Sequence, residues 1–417
     1  MPRRLEKNLR HQKSRGCGAK SATIPCLQMN HLDTLCRLIE FDTSGVDGDG
    51  CHEALIFLQD RLTACACATE LIPIPPPAAA GLERRAALLA HRRMPGRPRL
   101  LIYGHVDVVP AHGWEAYSPR REGGRVYGRG ASDMKGGIAA LVGALYSLRE
   151  RDLSFDTTVL LTMDEETHQL DQLEYLTPML DGGSRPHVLS LDAGFGYVTV
   201  AILGLLQMDI TVTGESVHSA LAHLGQNAIE DSARLMQALL ELKQTLSMRR
   251  SRVAAHPSTG LAFMEPRLNL NMVEGGLARN VVPARCTFTI DRRLLPEETV
   301  AAARAEILAA LGTVRGPQWY VSREFSIPPV PPCADPLAGE LSDILASVTG
   351  PSGLYGDMLS GELPYAATRW GGDAFATGVI RPENRIHGEG EFVNECDLDQ
   401  LVVVLARFLT GGQKEAA

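Results

Sequence analysis

The chain has 417 residues, enough for one large domain or two ordinary ones. Hydrophobic residues make up 45% of it and charged residues 22%, as in an average globular protein. The net charge of −8 argues against nucleic acid as a partner, and no apolar run approaches the roughly 20 residues that would cross a membrane.

The nine cysteines are scattered and odd in number, which argues against a framework of structural disulfides. We therefore expect a reducing, cytoplasmic location.

The first 28 residues differ from the rest in charge. They carry seven basic residues and one acidic residue, and they lack the apolar core of a secretory signal. We expect this leader, residues 1–28, to be disordered or translated from too early a start. The first amphipathic helix opens at Met29.

Helices then alternate with short apolar strands as far as about Tyr197. Strands are predicted at Arg99–Tyr103, Thr157–Thr162 and His187–Leu191, with a helix at Ile138–Arg149. This alternation predicts an α/β layer architecture with a mostly parallel sheet. Ligands of such sheets collect at the carboxyl ends of the strands, so polar residues that directly follow these strands are expected to converge.

The middle of the chain has a different pattern, which reads strand, helix, strand, strand, helix, strand. Its predicted elements are Leu206–Thr213, Asn227–Leu246, Arg267–Val273, Arg285–Asp291, Pro296–Leu311 and Gln318–Arg323. This βαββαβ order is typical of a small antiparallel sheet with two helices on one face. We expect an inserted domain at 203–325, between catalytic segments at 29–202 and 326–417.

His105 and Asp107 follow the first of these strands in the stretch GHVDVVP. On an extended chain they point to the same side. A histidine that binds a metal usually has its second ring nitrogen held by a carboxylate or carbonyl, and Asp107 is placed for that. The alternative is a surface histidine beside an ordinary strand-end aspartate.

Asp133 lies in the glycine-rich stretch GRGASDMKGG. Neither the G-x-x-x-x-G-K-[ST] nor the G-x-G-x-x-G spacing of phosphate and dinucleotide loops is present. We interpret Asp133 as a carboxylate that bridges two cations.

Three consecutive acids, Asp164–Glu166, follow another apolar strand. Such a run is usually a solvated surface, but at a buried strand end the carboxylates repel one another unless a cation lies among them. One acid can then ligate a metal while its neighbour acts as general base. Asp192 follows a third strand, and His387 in RIHGEGEFVN complements His105. A histidine and carboxylates at each ion suit zinc, cobalt or manganese.

Together these motifs resemble the metallopeptidase family of aminoacylase, acetylornithine deacetylase, succinyl-diaminopimelate desuccinylase and carboxypeptidase G, from about Met29 to Arg407. The resemblance implies that His105 and Asp192 hold one metal, that Glu166 and His387 hold the other, and that Asp133 bridges them. It implies that Glu165 is the general base and Asp107 the partner of His105.

In the inserted segment the resemblance implies a lid or dimerisation domain, and hence a homodimer or higher oligomer. Its histidine, His218 in GESVHSA, would reach a neighbouring active site and stabilise the oxyanion there. The implied substrate-binding residues are Asn280, Arg292 with Arg293 as the competing candidate, and Gly371 and Gly372 of GGDA.

Three stretches depart from the family pattern. Glycines are usual after the acidic triplet, where this chain has 167–172 (THQLDQ), and a Gly-Pro-Gly-like turn is usual where it has 380–384 (IRPEN). The acidic stretch after His387 is also irregular. These departures leave the substrate open and allow either one or two ions per subunit.

The leading hypothesis is a metal-dependent hydrolase in which Glu165 activates a metal-bound water to cleave a C–N bond. Its small-molecule substrate would be an N-acyl amino acid or a small peptide. One alternative is an aminohydrolase that releases ammonia from a ureido compound or an activated aromatic amine. The other is a non-catalytic binding protein on the same fold.

Overall fold

The computed structural model describes residues 30–45, 48–75, 84–167, 171–180, 185–358, 370 and 373–412. The predicted leader, 1–28, lies outside these residues, as do Met29 and the Gly371–Gly372 pair. In the described part of the chain, none of the helices is both long enough and apolar enough to cross a membrane.

Within the described residues the helices are α1 (His31–Glu40), α2 (Asp49–Ala64), α3 (Lys135–Ser147), α4 (Asp171–Leu180), α5 (Ala228–Leu246), α6 (Val300–Gly312), α7 (Pro336–Thr349) and α8 (Glu395–Leu409). The strands are β1 (Ala68–Pro73), β2 (Ala86–Arg92), β3 (Arg99–His105), β4 (Arg120–Glu122), β5 (Arg125–Tyr127), β6 (Asp156–Thr162), β7 (His187–Ser190), β8 (Val198–Ile202), β9 (Gly204–Thr213), β10 (Arg267–Gly275), β11 (Arg285–Leu294), β12 (Gln318–Ile327), β13 (Leu354–Asp357), β14 (Ala374–Ala376) and β15 (Phe392–Asn394).

The main sheet has the strand order β1-β2-β6-β3-β7-β14-β8-β13. Its central strands β6, β3, β7 and β14 pair in parallel, whereas β2 joins β6, and β8 joins β14, in antiparallel fashion. The predicted α/β architecture is therefore confirmed, with the parallel pairing concentrated at the centre of a mixed sheet.

Strand β3 is buried on both faces, as its continuous apolar sequence predicts. Leu100 and Ile102 pack into the cluster built with α1, α2, α3, α7 and α8, while Leu101 and Tyr103 pack into the cluster on the α4 side. Side chains of a strand alternate between its faces, so this short strand anchors both layers.

The inserted domain follows the predicted βαββαβ order. Its sheet has the order β10-β11-β9-β12 and is antiparallel throughout. Helices α5 and α6 cover one face, and Phe288 and Ile307 lie in the resulting core. The chain then returns to the main sheet, where Val330 N donates to Ile202 O at 3.1 Å.

A second contact joins the inserted domain to the main sheet. The segment 249–266 leaves the domain after α5, and Gly356 N of β13 donates to Ala254 O at 2.8 Å. Beyond it, the His256 ring stacks on Tyr197 with ring centroids 3.9 Å apart.

A small sheet with the order β15-β5-β4 joins two distant parts of the chain. Phe392 pairs with Tyr127 and Asn394 with Arg125 in antiparallel register. This pairing places the loop before β15 beside the loop that follows β5, and both loops carry predicted metal ligands.

Replacement of Phe288 by alanine should destabilise the inserted domain by about 3–5 kcal/mol, because it leaves a cavity in a fully buried core. Urea denaturation of the metal-free protein measures this. Tyr320 lies on the same sheet but is largely exposed, so its replacement by alanine should cost well under half as much. Equal losses in the two variants would contradict the assigned core.

Candidate metal centre

The register of the parallel strands brings the predicted ligands to one edge of the main sheet. His105 is the last residue of β3 and pairs with Thr162, the last residue of β6. On the other side of β3, Tyr103 pairs with Ser190, the last residue of β7. The acids that follow β6 and β7 therefore emerge beside His105, as the strand-end argument predicts.

Asp133 reaches this edge from the turn before α3. Gly104 makes the approach possible, because a Cβ at this position would lie 2.7 Å from the Met134 side chain. The absence of a side chain at Gly104 lets the Met134 thioether cover the end of β3, where its sulfur accepts the His105 backbone N–H at 3.2 Å.

The first ligand group consists of His105, Asp133 and Asp192. His105 Nε2 lies 3.6 Å from Asp133 Oδ1 and 4.0 Å from Asp192 Oδ2. This nitrogen is buried and has no hydrogen-bond partner among the described residues. It faces two carboxylates across a gap that no protein donor fills.

The second group consists of Asp133, Glu166 and His387. His387 Nε2 lies 3.1 Å from Asp133 Oδ2 and 3.3 Å from Glu166 Oε1. Asp133 therefore presents one oxygen to each group, which is the arrangement of a bridging carboxylate.

These separations fit divalent cations. Metal–ligand bonds of about 2.0–2.2 Å place tetrahedral ligands about 3.3–3.6 Å apart. The four separations between the ligand atoms lie close to that range, and a donor set of imidazole and carboxylate suits zinc, cobalt or manganese. The residues present therefore fit a pair of ions.

Asp107 connects both groups. Its Oδ1 lies 3.3 Å from His105 Nδ1, and its backbone oxygen lies 3.1 Å from the same nitrogen. Its Oδ2 accepts the Glu166 backbone N–H at 3.0 Å. The Asp107 backbone oxygen thus holds Nδ1 and turns Nε2 of the His105 ring toward the ligand group, as a carbonyl behind a metal-binding histidine can do.

The electrostatics of the centre favour added positive charge. Hydrogen bonds with Asp133 and Glu166 raise the pKa of His387 to about 10. Burial acts to lower the pKa of His105, but the carboxylates of Asp107 and Asp133 outweigh it and hold this pKa well above its ordinary value. Burial, reinforced by the Asp133 carboxylate, raises the pKa of Asp192 to about 7. The crowded acids stabilise cationic partners, which is the condition that binds a divalent ion.

The three consecutive acids have separate environments. Asp164 forms a buried ion pair with Arg85, 2.7 Å away, while Glu166 belongs to the second ligand group. Glu165 lies between them and is buried. Arg85, which directly precedes β2, was not anticipated from the sequence, because nothing in its local pattern indicates a partner 79 positions later.

His218 and Asn280 lie side by side on an exposed surface of the inserted domain. Ser219 N donates to Asn280 O at 2.9 Å, and His218 Nδ1 accepts from Ala220 N at 3.2 Å. Among the described residues, no hydrogen bond joins either side chain to the ligand groups of its own chain. The roles predicted for His218 and Asn280 therefore require that these side chains meet the ligand groups of another subunit.

Arg292, one of the predicted substrate-binding residues, lies inside the inserted domain. Its side chain is 1% exposed, and it donates to Glu298 at 2.7 Å and to the Arg293 backbone oxygen. A guanidinium enclosed in this way braces the inserted domain. The competing candidate, Arg293, is partly exposed and pairs with Asp291. The predicted Gly371–Gly372 loop lies outside the described residues.

Four buried residues near the ligands were not singled out from the sequence. Glu391 Oε2 accepts from Arg129 at 2.6 Å, and its Oε1 accepts from Ser132 N at 3.1 Å. Ser132 Oγ donates to Asn384 Oδ1 at 2.8 Å. Glu391 lies in the acidic stretch after His387. The sequence signal there is weak, because Glu389 lies two residues away and only two apolar residues, Phe392 and Val393, follow.

The chain was compared with known families and proteins. The model of the M20 peptidase dimerisation domain matches residues 200–317. A succinyl-diaminopimelate desuccinylase of Delftia acidovorans is 31% identical over 293 residues, which are 66% of this chain and 71% of the relative. An acetylornithine deacetylase of Aliivibrio salmonicida is 30% identical over 211 residues, 48% of this chain and 52% of the relative.

Other alignments are partial as well. Two curated relatives from Mycobacterium tuberculosis are 29% identical, and the chain spans 58% of their length. Among solved structures, an M20 family metallo-carboxypeptidase from Sulfolobus solfataricus matches with a TM-score of 0.73 at 18% identity, covering 91% of this chain and 98% of that chain. This likeness supports the fold over nearly the whole chain.

Replacement of Arg85 by methionine should destabilise the metal-free protein by about 3–5 kcal/mol, because the Asp164 carboxylate stays buried without its Arg85 partner. The double variant R85M/D164L should recover most of this loss, since neither charge of the pair then remains. Urea denaturation measures both variants. A single variant as stable as the wild type would contradict the pairing.

Proposed function

This chain belongs to the M20 peptidase family, as its match to the desuccinylase of Delftia acidovorans shows. We propose that it is a metal-dependent hydrolase that cleaves a C–N bond. The observation that carries the proposal is the pair of ligand groups that share Asp133, one oxygen to each. We propose that it acts in the cytoplasm.

In this proposal His105 and Asp192 hold one divalent ion, Glu166 and His387 hold a second, and Asp133 contacts both. Zinc, cobalt and manganese suit these ligands. When bound, such ions lower the pKa of water and polarise the carbonyl under attack.

Glu165 is the proposed general base. It takes a proton from the attacking water and returns it to the leaving nitrogen, so that an amide and water become a carboxylate and an amine. Its neighbours support this role, because Asp164 is held by Arg85 and Glu166 is held by Asp107 through its backbone. The backbone that carries Glu165 is thereby held on both sides, and its carboxylate helps to raise the pKa of His105.

The proposed substrates are N-acyl amino acids or small peptides with a free carboxylate. The names of the relatives, a desuccinylase and a deacetylase, support this substrate class. The position of Arg293 at the end of β11, partly exposed, supports it over Arg292 as the group that binds the substrate carboxylate.

Replacement of Glu165 by glutamine should lower kcat by about 10²–10⁴-fold, because the amide cannot accept the proton. Metal content, measured by elemental analysis, should stay at the wild-type value. The exposed Glu150 offers a matched control, and E150Q should be fully active. A hydrolysis screen that follows both amine and ammonia gives the rates. Near-normal turnover in E165Q would refute the assignment, and release of ammonia without a new carboxylate would identify an aminohydrolase.

A second copy of this chain is the proposed partner. Strand β10 is an edge strand of the inserted sheet, and large apolar side chains are exposed on it and just beyond it. Leu277 is 98% exposed, and Met272 and Val273 are mostly exposed. Exposed apolar surface of this kind is typical of a protein interface. It adjoins His218 and Asn280, so a partner on this edge would receive both side chains at its own metal centre.

The proposal predicts complementation between inactive variants. H218A should lack the histidine that stabilises the oxyanion in the partner's site, and E165Q should lack the base. Mixed dimers then hold one complete site, so an equimolar mixture that is allowed to exchange subunits should recover about a quarter of wild-type activity. Sedimentation verifies that subunits exchange. A mixture as inactive as its components would show that His218 does not act across subunits.

A further inference from the structure

The two segments that carry Asp133 and His387 are joined by a set of buried polar residues, which we call the clamp. Its members are Arg129, Ser132, Asn384 and Glu391. We infer that the clamp is a positioning device that fixes the Asp133 carboxylate relative to the His387 ring, and thereby determines whether the second ion binds. This inference rests on the proposed function, since it concerns the same metal centre.

Strand register places the two halves of the clamp side by side. Phe392 of β15 pairs with Tyr127 of β5, so the next position in the antiparallel ladder sets Glu391 against Gly128. Gly128 N donates to Glu391 O at 3.0 Å, which extends the ladder by one contact. The Glu391 side chain therefore enters the turn that carries Asp133 at a position set by backbone pairing.

The Glu391 carboxylate holds that turn from inside. Its side chain is 1% exposed and forms an ion pair with the equally buried Arg129. Its Oε1 accepts backbone N–H groups from Ser132 at 3.1 Å and from Asp133 at 3.3 Å. Hydrogen bonds to an ionised acceptor are among the stronger ones in proteins. They fix the backbone from which the bridging carboxylate projects.

Asn384 holds the other half of the clamp. It is fully buried, and its Oδ1 accepts from Ser132 Oγ at 2.8 Å and from Arg381 N at 2.6 Å. Ser132, the residue directly before Asp133, is thus bound through its backbone to Glu391 and through its hydroxyl to Asn384. Both partners lie in the segment that carries His387.

The loop between these two anchors has a backbone that needs support. Arg385 has φ 58° and His387 has φ 62°, both in the left-handed region that is costly for residues other than glycine. Such conformations persist only where the surrounding structure determines them. Asn384 and Glu391 flank the loop and supply this constraint, so loss of either contact should let His387 move away from Asp133 and Glu166.

The two ligand groups should depend on the clamp unequally. His105 ends β3 and Asp192 follows β7, so the main sheet sets their positions. Glu166 is held by Asp107. Asp133 belongs to both groups, but its backbone N–H stays bound to Glu391 when the Ser132–Asn384 contact is lost. His387 depends on that contact as well, so its loss should weaken the ion at His387 more than the other.

Cobalt titration of the metal-free enzyme, followed by visible absorption, tests this inference. The ligand-field bands of Co²⁺ report coordination geometry, and the titration gives a dissociation constant for each equivalent. S132A removes only the hydroxyl that binds Asn384. We expect it to raise one dissociation constant by about tenfold or more and to alter the bands of that equivalent, while the other constant changes little.

S132T keeps the hydroxyl and is the matched control, so it should restore both constants and the spectrum. E391Q should raise the dissociation constant of the same cobalt equivalent further than S132A does. If E391Q does not fold, S132A alone tests the inference. The melting temperature of each metal-free variant distinguishes loss of a ligand position from general instability.

The inference is overturned if S132A binds both equivalents of cobalt with wild-type constants and spectrum. It is also overturned if S132A lowers the melting temperature and weakens both equivalents alike. A wild-type enzyme that binds no cobalt would instead refute the proposed function, and the inference would fall with it.

Discussion

The structure depends on the confinement of several carboxylates at one edge of a sheet. Asp107, Asp133, Glu165, Glu166 and Asp192 all follow buried strands or tight turns, where like charges repel one another, and burial raises the pKa of Asp192 to about 7. Neighbouring groups offset part of this cost. Histidine nitrogens lie within 4.0 Å of Asp107, Asp133, Glu166 and Asp192, a backbone N–H binds Asp107, and Arg85 pairs with the neighbouring Asp164. The acids still outnumber their cationic partners, and the parallel strands hold the excess carboxylates close together.

Much of this centre could be predicted from the sequence, because it follows from strand geometry. Parallel strands end at one edge, so an acid or histidine directly after an apolar run has a predictable place. His105, the triplet 164–166 and Asp192 all obey this rule. The βαββαβ order of the inserted domain was also predictable, since its strands are long enough to alternate and its helices long enough to show an apolar stripe.

The remainder depends on contacts that no local pattern encodes. Strands β14 and β15 have three residues each, too few for a period to emerge, and β15 is what brings Glu391 to Asp133. Nothing in the sequence indicates which of the adjacent arginines, Arg292 or Arg293, is buried. Arg292 is the buried one, because it pairs with Glu298. Arg85 likewise has its partner far away in sequence, in Asp164 just after β6. Local sequence patterns therefore predict the members of the two ligand groups but not the residues that support them.

The strand order of the main sheet also has a consequence for biosynthesis. Strand β14 lies between β7 and β8, yet it is made after the whole inserted domain. On the ribosome, β7 and β8 must therefore wait with a gap between them while more than a hundred residues emerge, and His387 arrives later still. The inserted domain is continuous in sequence and can fold during that interval, whereas the second ligand group becomes complete only after His387 has been made.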